Sequence, residues 1–266
     1  EAAAGLTTYL TSFCPGGRYC TNATYYAANS FYQLKQYDKA IEQYSALADV
    51  QGNPYMEEAC MRVAELSYDK QEYRTALYYF QRMSEVAYSS SQRTTALLGM
   101  LRCGYNIEEQ ATIVDVATRL LDEPAIDSLV RNEALYCRAK AYIQTQQYGL
   151  AVVDLAPVAK EVRTVRGAEA KYLLAECYFL LNAMDLAEEE IMSFTKQQTS
   201  HQYWLAKSLI LLADINIKRN DLFQAKQYLL ALQKNYHIQD DIQTIIQEKL
   251  QYIAQLEIQQ TTDTAK

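Results

Sequence analysis

The chain has 266 residues, half of them apolar and 21% charged, with a formal net charge of -7. That is enough apolar material for a large core and excludes a disordered polymer. The acidity is spread along the chain and leaves no basic face for a phosphate backbone, so no nucleic-acid partner is expected.

Glycine and proline are scarce, at 8 and 4 residues, while Ala, Leu, Gln, Glu, Lys and Tyr dominate; this balance favours helices joined by short turns over strands. No apolar run reaches the roughly eighteen residues that a membrane-spanning helix needs. With Glu1 in place of methionine, the chain reads as a processed or excised piece, so a missing leader does not define its compartment.

In chain order, Ala2 to Phe13 reads as a helix, followed by the turn-rich segment C-P-G-G-R-Y-C, in which Cys14 and Cys20 can be bridged in an oxidising compartment. From Thr21 onward the sequence repeats itself. Y-D-K-A-I-E-Q-Y (Tyr37 to Tyr44) returns as Y-R-T-A-L-Y-Y-F (Tyr73 to Phe80) and as Y-G-L-A-V-V-D-L (Tyr148 to Leu155), with weaker copies from Met184 and Leu222. The shared alanines are Ala40, Ala76, Ala151, Ala187 and Ala225, with Ile113 in a degenerate third copy, and the spacings are 36, 37, 38, 36 and 38. Twelve residues before them stand Ala28, Ala64, Ala139, Ala175 and Ala213, with Leu101 in the third copy. A period of this size marks stacked helical hairpins that cross at small residues. Pro15, Pro54 and Pro124 fall between copies, whereas Pro157 lies inside a second helix and predicts a kink or an early end.

This pattern resembles the tetratricopeptide repeat family: a small residue on the first helix, an alanine opening the second, and a bulky residue four further on, here Tyr44, Phe80, Leu155, Ile191 and Leu229. The resemblance implies an all-α, right-handed superhelical solenoid of about six helix pairs (21–54, 55–91, 92–126, 127–165, 166–200 and 201–236). Residues 1–20 form the end of a preceding repeat, and residues 237–266 a capping helix and frayed tail. The cap is expected from the stripe of Ile242, Ile245, Ile246, Leu250, Ile253 and Leu256. The period is longer than the family's usual one, and the early tryptophan is missing except for Trp204 in the last copy. The tyrosine-rich second helices also look like envelope-associated tetratricopeptide proteins of Bacteroidetes, which implies a periplasmic or outer-membrane-associated protein; a cytoplasmic one is the alternative.

The resemblance also implies that first helices line a concave side. Counting from the alanines places there an outer row of Tyr25, Met61, Leu98, Tyr136, Tyr172 and Ile210. A polar middle row follows, of Asn29, Glu65, Arg102, Lys140, Glu176 and Asp214, and an inner row of Tyr32, Tyr68, Tyr105, Ile143, Phe179 and Ile217. Apolar rows at this spacing either pack helix on helix or offer stiff aromatic contact area to a partner. The carboxylate clamp of chaperone-binding members is not implied, because Tyr25 stands where its lysine belongs.

Cys60, Cys103, Cys137 and Cys177 fall in apolar stretches and read as buried thiols. Two histidines, His201 and His237, lie far from any cysteine pair, so neither a metal site nor a nucleophilic triad is expected, and no cofactor. Glu188, Glu189 and Glu190 read as a solvated helix face, and His201 as a helix start capped by Thr199 or Ser200. The chain is therefore expected to be a non-enzymatic scaffold that binds a protein or peptide on its concave face, within a bacterial envelope complex. The alternatives are an architectural subunit that uses its convex face and terminal helix, or a small-ligand binder.

Overall fold

The computed structural model describes residues 2–264, with side chains for residues 3–260. It contains the helices α1 (Ala2–Phe13), α2 (Cys20–Gln33), α3 (Tyr37–Ala48), α4 (Met56–Asp69), α5 (Tyr73–Val86), α6 (Ser90–Asn106) and α7 (Gln110–Asp122). These are followed by α8 (Ser128–Gln144), α9 (Tyr148–Val158), α10 (Val165–Leu180), α11 (Met184–Thr195), α12 (Gln202–Lys218), α13 (Leu222–Asn235) and α14 (Ile242–Thr264). The described residues form no strand, and no helix among them is long and apolar enough to cross a membrane. The chain divides into two compact units, Glu1–Cys137 and Arg138–Lys266, with the division inside α8.

Each helix pair turns in the same way. The residue five positions before each shared alanine has a left-handed backbone: Lys35, Gln71, Glu108, Gln146, Asn182 and Asn220, with φ between 55° and 64°. The amide that follows it reaches back to the last turn of the first helix; Gln36 N–H donates to Phe31 O, Glu72 to Ser67 O, Glu109 to Gly104 O, Gln147 to Tyr142 O, Ala183 to Tyr178 O and Asp221 to Asn216 O, at 2.7–3.0 Å. This 6→1 bond satisfies carbonyls that the helix end would leave unpaired, which is why two helices can meet across so few residues. Only two of the six turn residues are asparagine and none is glycine, so each turn holds a conformation that disfavours most side chains by about 1 kcal/mol.

The crossings are closed by small residues. Ala28, Ala64, Ala139, Ala175 and Ala213 on first helices, and Ala40, Ala76, Ala151, Ala187 and Ala225 on second helices, have no exposed surface. Beside them Tyr44, Leu155, Ile191 and Leu229 are fully enclosed, and Phe80 nearly so. The third pair exchanges sizes: Leu101 and Ile113 stand where the others have alanine, and Ala117 stands where the others have a bulky residue. All three are buried. The volume is redistributed rather than lost, as close packing requires.

Between pairs, the loop ahead of α4 is fixed by Asn53, whose side chain donates to Leu47 O and Val50 O and accepts from Tyr55 N–H at 2.7–2.8 Å. Pro157 is the second-last residue of α9, which ends at Val158. His201 is itself the N-cap of α12 and makes no side-chain cap bond; Thr199 instead accepts from His201 N–H and donates to Val162 O. Glu188 and Glu190 are not merely solvated, since they pair with Arg219 and Lys171. In α14, Ile242, Ile246 and Ile253 are buried against α12 and α13, with Ile245, Leu250 and Leu256 packed beside them, so this helix closes the second unit's core. The expected frayed tail begins inside this helix, and Ala265 and Lys266 lie outside the described residues.

Candidate partner-binding site

In the first unit, α2, α4, α5 and α6 enclose a groove of about 380 Å³ lined by Tyr32, Glu65, Leu66, Tyr68, Asp69, Phe80, Thr95, Leu98, Gly99 and Arg102. Tyr32, Glu65, Tyr68, Leu98 and Arg102 are thus brought together from the expected rows. Leu66 and Phe80, each 6% exposed, make its floor. Gly99 makes room for the Phe80 ring: a Cβ there would lie 2.6 Å from that ring. The Tyr68 ring meets Tyr73 edge-on at 5.2 Å, and its hydroxyl accepts from Asn106 Nδ2 at 3.2 Å.

The charges around this groove are arranged asymmetrically. Arg102 holds Glu133 through two bonds, Nε to Oε1 at 2.7 Å and a second guanidinium nitrogen to Oε2 at 3.1 Å, and that carboxylate raises its pKa. Arg62 bonds Glu65 at 3.2 Å, lies 4.0 Å from Glu58, and sits over the Tyr32 ring at 4.9 Å. Asp69, by contrast, is exposed and makes no side-chain hydrogen bond or ion pair among the described residues.

The rest of the expected rows is spent differently. Tyr25 stacks on Tyr55 at 3.9 Å and donates to Glu58 at 2.7 Å, a bond that raises its pKa. Asn29 accepts from the Tyr44 hydroxyl at 2.6 Å and lines a second, open groove against α1. Met61 is half-buried on α4 and Tyr105 is exposed on α6, while Tyr136 is buried. In the second unit, Lys140 pairs with Glu169 at 3.0 Å, and Asp214 with Lys249. Tyr172 is buried, stacks on Trp204 at 5.7 Å and donates to Glu176; burial raises its pKa strongly. Ile210 is buried, and Ile143 is half-buried on α8. Phe179 and Ile217 line a third groove, of about 560 Å³, between α10, α12 and α14, where Lys218 lies 5.1 Å over the Phe179 ring. Much of the polar row therefore ties one first helix to the next.

Leu66, Asp69, Phe80, Thr95 and Gly99 complete the first groove from outside the three first-helix rows, Phe80 being the bulky residue that follows Ala76 in the repeat. A glycine inside a helix, in a chain with eight in all, was the available signal for Gly99. Asp69 follows Tyr68 directly at the end of α4 and carries no comparable mark. Cys60, Cys103, Cys137 and Cys177 are buried; burial pushes Cys60 up to about 11 and Cys103 and Cys177 up to about 12, so these thiols stay protonated and unreactive at neutral pH. Cys14 and Cys20 form a disulfide with Cα atoms 5.7 Å apart.

No family model and no curated protein sequence matches the chain. The solved structures to which it is similar include a tetratricopeptide repeat protein from Parabacteroides merdae, at 16% identity over 85% of this chain and 97% of that one, with a TM-score of 0.45. They include PilW, described as a widely conserved type IV pilus biogenesis factor, at 17% identity over 86% and 100%, with a TM-score of 0.49. The TPR2AB domain of yeast Sti1 in a pHSP90 complex is a third, at 15% identity over 90% and 98%, with a TM-score of 0.35. The chain resembles tetratricopeptide-repeat proteins in its all-α succession of paired helices.

Proposed function

We propose that this protein is a non-enzymatic interaction scaffold that holds a peptide or a segment of a partner protein against the first-helix face of its first unit, within a bacterial envelope complex. The observation that carries the reading is the groove walled by Tyr32, Tyr68 and Leu98 over a floor of Leu66 and Phe80. Aromatic rings that keep exposed area beside a packed apolar floor are the residue type that dominates binding energy at protein interfaces. The Cys14–Cys20 bridge supports an oxidising compartment and with it the envelope.

Selection of a random twelve-residue display library on the folded protein tests this. Peptides enriched on the native chain should be lost on Thr95→Trp, which fills the groove from its rim, and should bind Tyr68→Ala about thirtyfold more weakly with folding unchanged. Equal enrichment on native and Thr95→Trp protein would sink the proposal.

A second, architectural reading rests on the second helices of the second unit. Their exposed faces carry Leu150, Val153, Leu186, Met192, Phe223 and Leu230, and Val153 and Phe223 are each 69% exposed. Apolar residues at recurring outward positions suit attachment to a larger assembly.

A further inference from the structure

We infer that the first-unit groove selects a partner segment by a cationic side chain, an arginine or lysine next to a bulky apolar residue; the inference rests on the groove being the binding site. The argument is charge complementarity. Around the groove stand two guanidinium groups, those of Arg62 and Arg102, and four carboxylates, those of Glu58, Glu65, Asp69 and Glu133. Both arginines have carboxylate partners: Arg102 has its hydrogen-bonding fork filled by Glu133, and Arg62 bonds Glu65 and lies 4.0 Å from Glu58, its buried Nε making no hydrogen bond. Lys70, next along the chain, is likewise held by Asp38 at 2.9 Å and Glu72 at 3.2 Å. What remains to meet a ligand is negative: the unpaired Asp69 carboxylate, and Glu65, which shares Arg62 with Glu58 and keeps 44% of its side chain exposed.

The groove also has the other half of the chemistry. An arginine or lysine carries an aliphatic stem ending in a charge, and here Leu66, Phe80 and Leu98 offer apolar surface beside acids at the rim. The Tyr32 ring already accepts the guanidinium of Arg62 on its face, so an aromatic surface of this groove is in use for a cation. An acidic ligand would find no unengaged cation among the groove's own residues, and a purely apolar one would leave the paired Arg102 and the two acids without benefit.

The same library provides the test. Enriched peptides should carry arginine or lysine beside a bulky apolar residue. For a blocked synthetic peptide of that kind, titrated by calorimetry, Asp69→Asn should weaken binding at least fivefold and Asp69→Asn with Glu65→Gln at least tenfold. Replacing the peptide's arginine by uncharged citrulline should have the same effect on native protein and almost none on the double variant. Asp69→Lys should turn the preference toward a peptide with glutamate at that place. Enrichment of neutral or acidic peptides that are still lost on Thr95→Trp would overturn the cation inference and leave the groove reading standing. Indifference to Thr95→Trp would remove both. A double variant that binds the arginine peptide within twofold of native also overturns the inference.

Discussion

The two units are built from the same helix pair but leave different surfaces open. In the first, α4 and α6 touch lightly, and Tyr32, Tyr68 and Leu98 stand around a groove. In the second, α10 and α12 pack closely, the run Ala170 to Ala175 is buried without interruption, and Tyr172 stacks on Trp204 inside. In the second unit exposed apolar residues recur along α9, α11 and α13, with others at Val165 and Leu180 on α10 and at Tyr252 and Ile258 on α14, whereas α3, α5 and α7 of the first are faced by Lys39, Glu42, Thr75, Asp115 and Thr118, with tyrosine as the exception. The lesson is that a repeat frame fixes where helices cross, while the residues one or two positions away decide whether the first-helix face is spent on packing or kept for a partner.

Substitutions at the two tight glycines separate these roles most sharply. A Cβ on Gly167 would lie 2.0 Å from Glu161 O, a backbone atom held by the α10 cap, so Gly167→Ala should destabilise the chain by about 3 kcal/mol or more. Gly99→Ala meets a side chain, the Phe80 ring, which can turn into the groove; about 1–2 kcal/mol is expected, together with loss of peptide binding. Circular dichroism melts of both variants check the order, and equal losses would contradict the division into an enclosed and an open face.

Truncating one tyrosine in each unit sharpens the same contrast. Tyr172→Ala removes a buried, stacked ring and should cost about 3 kcal/mol of stability. Tyr68→Ala removes a half-exposed one and should cost under about 1 kcal/mol in a melt.

How much of this was legible depends on what repeats. The shared alanines, their small partners twelve residues earlier and the bulky residues four later recur in sequence, and they form the crossings. The starts of the second helices, Tyr37, Tyr73, Tyr148, Met184 and Leu222, coincide with the first residues of the repeated phrases. What could not be read was which charge finds a partner on the next first helix: Arg102 reaches Glu133, 31 residues away, and Lys140 reaches Glu169, 29 away. Those separations differ because the loops differ, and helical spacing within one copy does not contain them. For the same reason Tyr172, in the same counted row as Tyr25 and Met61, gave no sign of its burial beneath Trp204.

Alkaline pH offers a smaller contrast. Burial pushes the Tyr44 hydroxyl from an ordinary 10.0 up to about 12, while its bond to Asn29 keeps it protonated. A pKa raised in the folded state gives stability that is complete below pH 10 and lost as pH climbs through 12, so the Tyr44 hydroxyl's share of the loss across that window is about 2 kcal/mol. Tyr44→Phe should cost about 1 kcal/mol at neutral pH and flatten this fall, as urea titrations at pH 8 and above would show.

The turns give the smallest effects. Gln71→Gly relieves a left-handed side chain and should stabilise by up to about 0.5 kcal/mol after the unfolded chain's added freedom is counted. Asn182→Gly, at a residue that tolerates this conformation, should change little. A larger gain at Asn182 in chemical denaturation would contradict the account of these turns.

The regular left-handed turn also bears on how the chain acquires its structure. Because each of the six pairs closes through a local 6→1 bond, and side-chain hydrogen bonds between elements among the described residues join neighbours such as Arg102 and Glu133 or, at longer range, Asn220 and Gln260, little loop entropy has to be lost before contacts form. Such a chain has no obligatory long-range step: any helix pair can serve as the starting point, with neighbours adding to it one at a time. Release from a ribosome, or passage through a narrow channel in an extended state, would then be followed by zipping from whichever pair emerges first.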